Sequence, residues 1–445
     1  MTTPHTTMAP DCDVVVIGGG PAGSTIAALL ARQGRRVVML EKAHHPRFHI
    51  GESLLPANGP LFDRLGVRSE VEAMGMSKVG VEFISPDFAH HSFVEFADAW
   101  DKSMPGAWQV RRSEFDAMLF RHAQTCGALT TEGCQVRGVQ FDAEGVRVTA
   151  QSDDGSSASW RTRYVVDASG RDTLLANQLR SKQRNVKHNS AALFAHFRGA
   201  QRLAGRLEGN ISIFWFEHGW FWFIPLADGH TSVGAVCWPI YLKTRDAPLE
   251  AFLLQTISLC PTLAERLRDA EVVPGSVHAT GNYSYASDHA SGERYVMLGD
   301  AYAFVDPVFS TGVYLAMVSA FEAAELVATS LDRPAKAAAA RQRFETLMKR
   351  GPREFSWFIY RMTNPAMRSM FMHPRNIWRV KEALMSLLAG DIYADTPIWT
   401  RLSLFKWIYR VQALLSSRRS LRAWLARRRH RRDAGLLKDE SVVVQ

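Results

Sequence analysis

Three short stretches of this 445-residue chain carry residues suited to a charged ligand. Gly18-Gly-Gly20-Pro-Ala22-Gly23 fits the pattern G-x-G-x-x-G. Gly18 allows a tight turn, Gly20 lets a pyrophosphate approach the backbone, and Gly23 lets a helix pack close to the preceding strand. The head of that helix offers unpaired N–H groups and partial positive charge, both suited to phosphate. Glu41 lies 18 residues beyond Gly23, at a strand end where a carboxylate can bond both hydroxyls of a ribose. A second helix should begin at about Gly312, after Ser310 and Thr311. Backbone N–H groups at such a start bind an anion without a cationic side chain, and a Ser/Thr cap uses the same geometry. Lys78 stands between glycines in Gly75-Met-Ser-Lys-Val-Gly80. An ammonium is a compact donor whose pKa moves when buried, although a lysine in a loop is ordinarily a surface charge.

These residues need elements to hold them. Residues 13–17 read as a buried strand, 22–33 as a helix ended by Gly34, and 36–40 as the next strand, a complete βαβ unit. Val165-Val-Asp167-Ala-Ser-Gly170 and Tyr295-Val-Met-Leu-Gly299-Asp300 are two further apolar strands running into turns. Asp300 then stands at a strand end, as a ligand group, a helix cap or both. Residues 214–216 and 220–223 are aromatic runs joined by Glu217-His-Gly219, which predicts a hairpin with Gly219 in the turn. A helix ending near Ala73 precedes Lys78. Beyond Ala335 the pattern turns helical, with aromatic and methionine stripes at 360–365 and 370–372 that suit core packing or the wall of an apolar pocket.

Composition bounds the class. The chain is 47% hydrophobic and 22% charged, ordinary for a globular protein with a substantial core. Five scattered cysteines without C-x-x-C spacing argue against a zinc site or a disulfide framework and favour a reducing, cytoplasmic setting. The first thirteen residues lack a signal-peptide core, and no apolar run is long enough for a spanning helix. The net charge of +9 is uneven, with eight arginines between Arg418 and Arg432 around an apolar stripe of Leu421, Trp424 and Leu425. That tail reads as a solvated helix, or as a contact for an acidic protein or a peripheral anionic membrane. One basic tail on a mixed-charge chain is not a nucleic-acid architecture.

The string Trp220-Phe-Trp222-Phe-Ile224-Pro225, read with the glycine turn, resembles the FAD-dependent halogenases, a branch of the flavin hydroxylase-like proteins. The segment Pro46-Arg-Phe-His-Ile-Gly51-Glu-Ser53 and the pattern F-x-x-P-x-x-S-x-G at 304–312 resemble that family too. The likeness covers residues 11–391. It implies an α/β fold: a Rossmann-type FAD-binding domain interleaved with a mixed β-sheet substrate domain, followed by a helical C-terminal region. The corresponding boundaries are a leader at 1–10, interleaved domains at 11–335, helices at 336–416 and the basic tail at 417–445. The implied cofactor is FAD, used as FADH2, with a halide ion. Gly18, Gly20, Ala22, Gly23, Glu41, Lys42, Arg47, Ile50, Gly51, Ser53, Gln109, Arg112, Asp300, Pro307, Gly312 and Val313 would hold it. Ser310, Thr311 and Gly312 would take the halide. Trp220 and Trp222, with Ile224 and Pro225, would keep substrate from the flavin; aromatic strands also serve as plain core. Lys78 would hydrogen-bond hypohalous acid, or form a haloamine, at the end of a tunnel.

One departure bears on the substrate. Family members acting on free tryptophan carry glutamate directly before S-T-G, and here that position is Phe309. The resemblance therefore points to a phenol or pyrrole, free or tethered to a carrier protein. No second G-x-G-x-x-G marks an NAD(P)H site, so a separate flavin reductase is expected as partner, or NAD(P)H binds transiently without a fingerprint. The alternatives are a flavin reductase of prenyl or polyene chains, a monooxygenase, and a flavoprotein that docks partners through its tail.

Overall fold

The computed structural model describes residues 10–415, except 186–189, 282–283, 373–375 and 394–395, together with Leu425. The arginine-rich tail, apart from Leu425, and the leader before Pro10 lie outside the described residues.

Among the described residues the first sheet runs Leu129–Thr131, Val37–Leu40, Cys12–Ile17, Ser157–Asp167, Val146–Ser152 and Cys134–Phe141, with Tyr295–Met297 also on Ser157–Asp167. Cys12–Ile17 is parallel to both neighbours, Val16 lying opposite Met39 and Val166. Val14, Val15 and Val16 are fully buried, which suits a parallel strand covered on both faces. Helix Pro21–Arg32 follows and packs against helices Arg112–Thr125 and Gly312–Asp332. Its close fit depends on small residues: a Cβ on Gly23 would stand 1.9 Å from the carbonyl oxygen of Gly18. Gly18 itself has φ +98°, in the left-handed region that favours glycine. The sequence-based βαβ unit thus appears within one residue of its expected bounds.

The second sheet runs Glu271–Val272, Ala191–Arg198, His230–Cys237, Gly219–Pro225, Ile211–Phe216, Gly80–Ile84 and His91–Glu95, with His278–Thr280 also on Ala191–Arg198. Alternation sorts its side chains. Trp215, Trp220, Trp222 and Ile224 join the main core, while Phe214, Phe216, Phe221 and Phe223 form a second cluster behind the sheet. The tryptophan hairpin pairs Trp215 with Trp220 and Ile213 with Trp222. Gly219 is not in its turn: it pairs with Phe216 and lies so close to the next strand that a Cβ would meet Val236 O at 1.9 Å. Lys78 also departs from expectation. It ends the strand Met76–Lys78, paired with Ala107–Gln109, instead of sitting in a loop, because Gly80 opens the adjoining strand of the second sheet. The C-terminal region is helical, with Pro334–Ile359, Pro365–Met372, Val380–Ala389 and Ile398–Leu415.

Candidate active site

A cavity of about 870 Å³ runs between the strand ends of the first sheet and the tryptophan face of the second. Its size falls within the usual range for a cofactor cleft. Gly18, Gly20 and Ala22 line one end, where helix Pro21–Arg32 begins without a side-chain cap. A Cβ on Gly20 would meet only the Arg47 guanidinium, at 3.5 Å. Glu41 is buried beside this turn, accepting N–H bonds from Gly19 at 2.7 Å and Ala43 at 3.0 Å. This cradle of glycines, an uncapped helix start and an adjacent carboxylate fits the pyrophosphate and ribose of FAD. Lys42 lines the mouth and pairs with Asp172.

The middle of the cavity is bounded by Arg47, Ile50, Gly51, Ser53, Arg112 and Asp300. A residue the motifs did not reveal organises it. Asp116, fully buried, accepts two bonds from Arg112, at 2.8 and 3.0 Å, and one from Arg47 at 3.3 Å. Arg112 also donates to the carbonyl of Ile50 at 2.8 Å, which fixes the loop. The only sequence trace of this hub is the i,i+4 spacing of Arg112 and Asp116. Asp300 is in the short turn Gly299–Ala301, not at a helix cap. Burial pushes its carboxyl up to about 6, opposed by Arg171 and Arg112.

At the far end Ser310, Thr311, Gly312 and Val313 line the cavity as helix Gly312–Asp332 begins. The Ser/Thr cap is not formed: neither hydroxyl makes a side-chain cap bond, so the first amides are left for another acceptor. Ser310 has φ +56°, a strained conformation for a residue with a Cβ. Asp306 steadies the approach by accepting from Ser190 Oγ at 2.9 Å and Val308 N–H at 3.1 Å.

Trp220, Trp222 and Ile224 form the opposite wall, while Pro225 ends their strand outside the lining. The indole of Trp222 donates to Ser232 Oγ at 3.2 Å and lies over Gly234, where an added Cβ would stand 2.2 Å from the ring. Lys78 is fully buried and outside the lining; its Nζ donates to Ser53 Oγ at 2.7 Å, and Ser53 lines the cavity. Burial alone lowers its pKa to about 7. Gly23 and Gln109 also stand behind the lining. Gly23 serves helix packing, and Gln109 donates to Gly209 O at 3.0 Å while its Oε1 has no partner among the described residues. The side chain of Pro307 is outside the described set. Glu52, within the 46–53 segment, lines the cavity, and His196, absent from every motif, stands behind it with 2.9 Å between carboxylate and imidazole.

Residues 11–342 match the family described as FAD binding domain. A flavin-dependent halogenase of Armillaria mellea is 34% identical over 345 residues, covering 72% of this chain and 68% of the relative. A tryptophan 2-halogenase of Chondromyces crocatus is 36% identical, and this chain spans only 60% of its length. A 1H-pyrrole-2-carbonyl-[peptidyl-carrier protein] chlorinase of Pseudomonas fluorescens is 29% identical, covering 86% of this chain and 90% of its own. Among solved structures, the myxobacterial chondrochloren halogenase superposes with a TM-score of 0.76 at 33% identity, covering 87% of this chain and 92% of its own. Fold and cavity define an FAD-binding flavoprotein. Within that class the chain belongs to the flavin-dependent halogenases, enzymes that use FAD and halide.

Proposed function

We propose that this chain halogenates an electron-rich aromatic ring, a phenol or pyrrole, with FADH2 supplied by a separate reductase. Phe309 carries the reading. It occupies the place before Ser310-Thr311-Gly312, and its ring stacks at 6.5 Å on Phe371, which packs on Phe83 and through it on Trp215. Phe309 is buried behind the lining, and its ring cannot accept a proton from the attacked ring. A phenol or pyrrole manages without it, because its own O–H or N–H shares the charge.

Bound and reduced, FAD supplies with O2 the two-electron oxidation of halide to hypohalous acid. Gly18, Gly20, Ala22, Glu41, Arg47, Arg112 and Asp300 would hold the cofactor, and the amides after Ser310 the halide. Trp220 and Trp222 would keep the ring away from the flavin. Lys78, with Ser53 between it and the cavity, would receive hypohalous acid and present it to the ring. Fully buried and without a carboxylate partner among the described residues, Lys78 has its amine form favoured, which suits halogen transfer to nitrogen. A carrier-linked substrate is supported by the name of the pyrrole chlorinase relative. An acidic carrier would find charge complementarity in the Arg418–Arg432 tail.

The test is mass spectrometry of products formed with FADH2, O2 and chloride or bromide on free and carrier-bound phenols and pyrroles. Halogenated product from either ring class supports the reading. Turnover of an unactivated indole with neither of the others would reject it.

A further inference from the structure

The oxidation proposed for this cavity has a proton requirement. Halide, O2 and the reduced cofactor balance as X⁻ + O2 + FADH2 + H⁺ giving HOX + FAD + H2O. One proton must reach the oxygen atom that leaves as water. The competing release of hydrogen peroxide, O2 + FADH2 giving H2O2 + FAD, needs no net proton. A proton donor in the cavity therefore decides between the two outcomes.

Glu52 has the geometry for it. It lies between Gly51 and Ser53 on the cavity wall and is buried. One carboxylate oxygen, Oε1, is 2.9 Å from His196 Nε2, while Oε2 is buried with no partner among the described residues. A buried carboxylate oxygen left bare is costly unless it carries a proton or meets a ligand. His196 projects from strand Ala191–Arg198, opposite Ser232, and Ser232 is in turn opposite Ile224 of the tryptophan strand. The dyad is thus one row along the sheet from Trp222. Four ionisable groups near it are poor proton donors, whereas Asp300, whose carboxyl burial pushes up to about 6, lines the same cavity. His278, near His196, is held below its usual pKa by burial and then by His196. His49 is lowered to about 4 by burial and then by Arg112. Lys78 is turned to Ser53, and Arg112 is engaged by Asp116 and the carbonyl of Ile50.

We propose that Glu52 is the proton donor for halide oxidation and that His196 is its positioning residue. The O–H bond at Oε2 breaks and the proton passes to the departing oxygen, which leaves as water. The electron pair stays on the carboxylate, where the Nε2–H of His196 stabilises it. A proton from solvent restores the acid.

The inference rests on the halide oxidation proposed above, and its test omits the aromatic substrate. Hypohalous acid is trapped with a small β-diketone while peroxide is measured in parallel, across pH, for wild type, E52Q, E52D and H196Q. The E52Q side-chain amide keeps the shape and a hydrogen bond to His196 but has no acidic proton. E52Q should trap about 100-fold less hypohalous acid, within the usual range for general acid catalysis, with the lost turnover recovered as peroxide. Oxidised FAD should bind E52Q as tightly as wild type. In cofactor-free protein, an infrared carboxyl band should titrate in wild type, shift in H196Q and be missing in E52Q. E52D, which keeps a titrating group should E52Q fail to fold, should retain a pH-dependent partition between the two products. Wild-type trapping by E52Q, a flat partition in E52D, or no carboxyl band separating wild type from E52Q would overturn the role of Glu52. Wild-type protein that traps no hypohalous acid would instead overturn the reading of the cavity as a halide oxidiser.

Discussion

At the scale of single residues, Lys78 is the clearest case of a side chain that the fold holds at a cost. A fully buried ammonium with no carboxylate partner among the described residues costs the fold, and its pKa near 7 against an ordinary 10.5 expresses that cost. The group binds fewer protons folded than unfolded between those values. The penalty is therefore full below about pH 7 and vanishes as pH rises towards 10.5. Replacing Lys78 by Met should raise the melting temperature at pH 6, and the gain should shrink by pH 10. Thermal melts of the two proteins across pH check this; a constant difference would show that charge is not its source. The same variant should lose halogenation while binding FAD. Wild-type halogenation should rise with pH through about 7, because transfer of halogen to nitrogen needs the free amine. Lys78 and the tryptophans were legible in the sequence because each stands in a short continuous string. The Glu52–His196 pair was not, since 144 positions separate two residues that meet only when a loop crosses the second sheet.

At the scale of elements, alternation along the second sheet puts Trp220, Trp222 and Ile224 on the cavity wall and hides Phe221 and Phe223 behind it. The hairpin could be read from its aromatic runs. Its turn could not be, because Gly219 is required by the approach of Val236 and not by the reversal of the chain. What holds these tryptophans in place was equally invisible, for Ser232 and Gly234 are on the next strand. A methyl group at Gly234 would collide with the Trp222 ring, which cannot give way without moving Phe194 or entering the cavity. Gly234→Ala should therefore uncouple the enzyme, raising peroxide and lowering halogenated product, with the fold kept by circular dichroism. Ser232→Ala removes only the indole acceptor and should cost about 1 kcal/mol of stability with a smaller loss of coupling. Equal coupling in both variants and wild type, measured as product per FADH2 consumed, would reduce the tryptophans to core packing.

At the scale of the whole molecule, the cavity joins parts of the chain that are far apart in sequence. Its lining comes from the first sheet and its glycine turn, from Trp220, Trp222 and Ile224 of the second sheet, and from the head of helix Gly312–Asp332. The sequence indicated both sheets and the late helices; how they share one cleft depends on crossovers that no local pattern records. A cofactor filling this cleft would bridge all three parts and bind only when they are assembled. By linkage it stabilises the native state by about 2.7 kcal/mol at a concentration roughly 100 times its Kd. The melting temperature should therefore rise with the logarithm of FAD concentration, as a single transition read alike by tryptophan fluorescence and by circular dichroism. Tryptophan fluorescence samples both sheets, Trp160 being in the first and Trp215, Trp220 and Trp222 in the second, so a single transition in both probes is what coupled unfolding requires. Gly23→Ala should abolish the FAD-dependent rise, since the new Cβ would drive helix Pro21–Arg32 off Gly18 and open the phosphate cradle. Lys78→Ala should preserve it, because Lys78 stands behind Ser53 and outside the lining. Separate melts of the two signals at saturating FAD would show instead that the parts unfold independently and that the cofactor does not couple them.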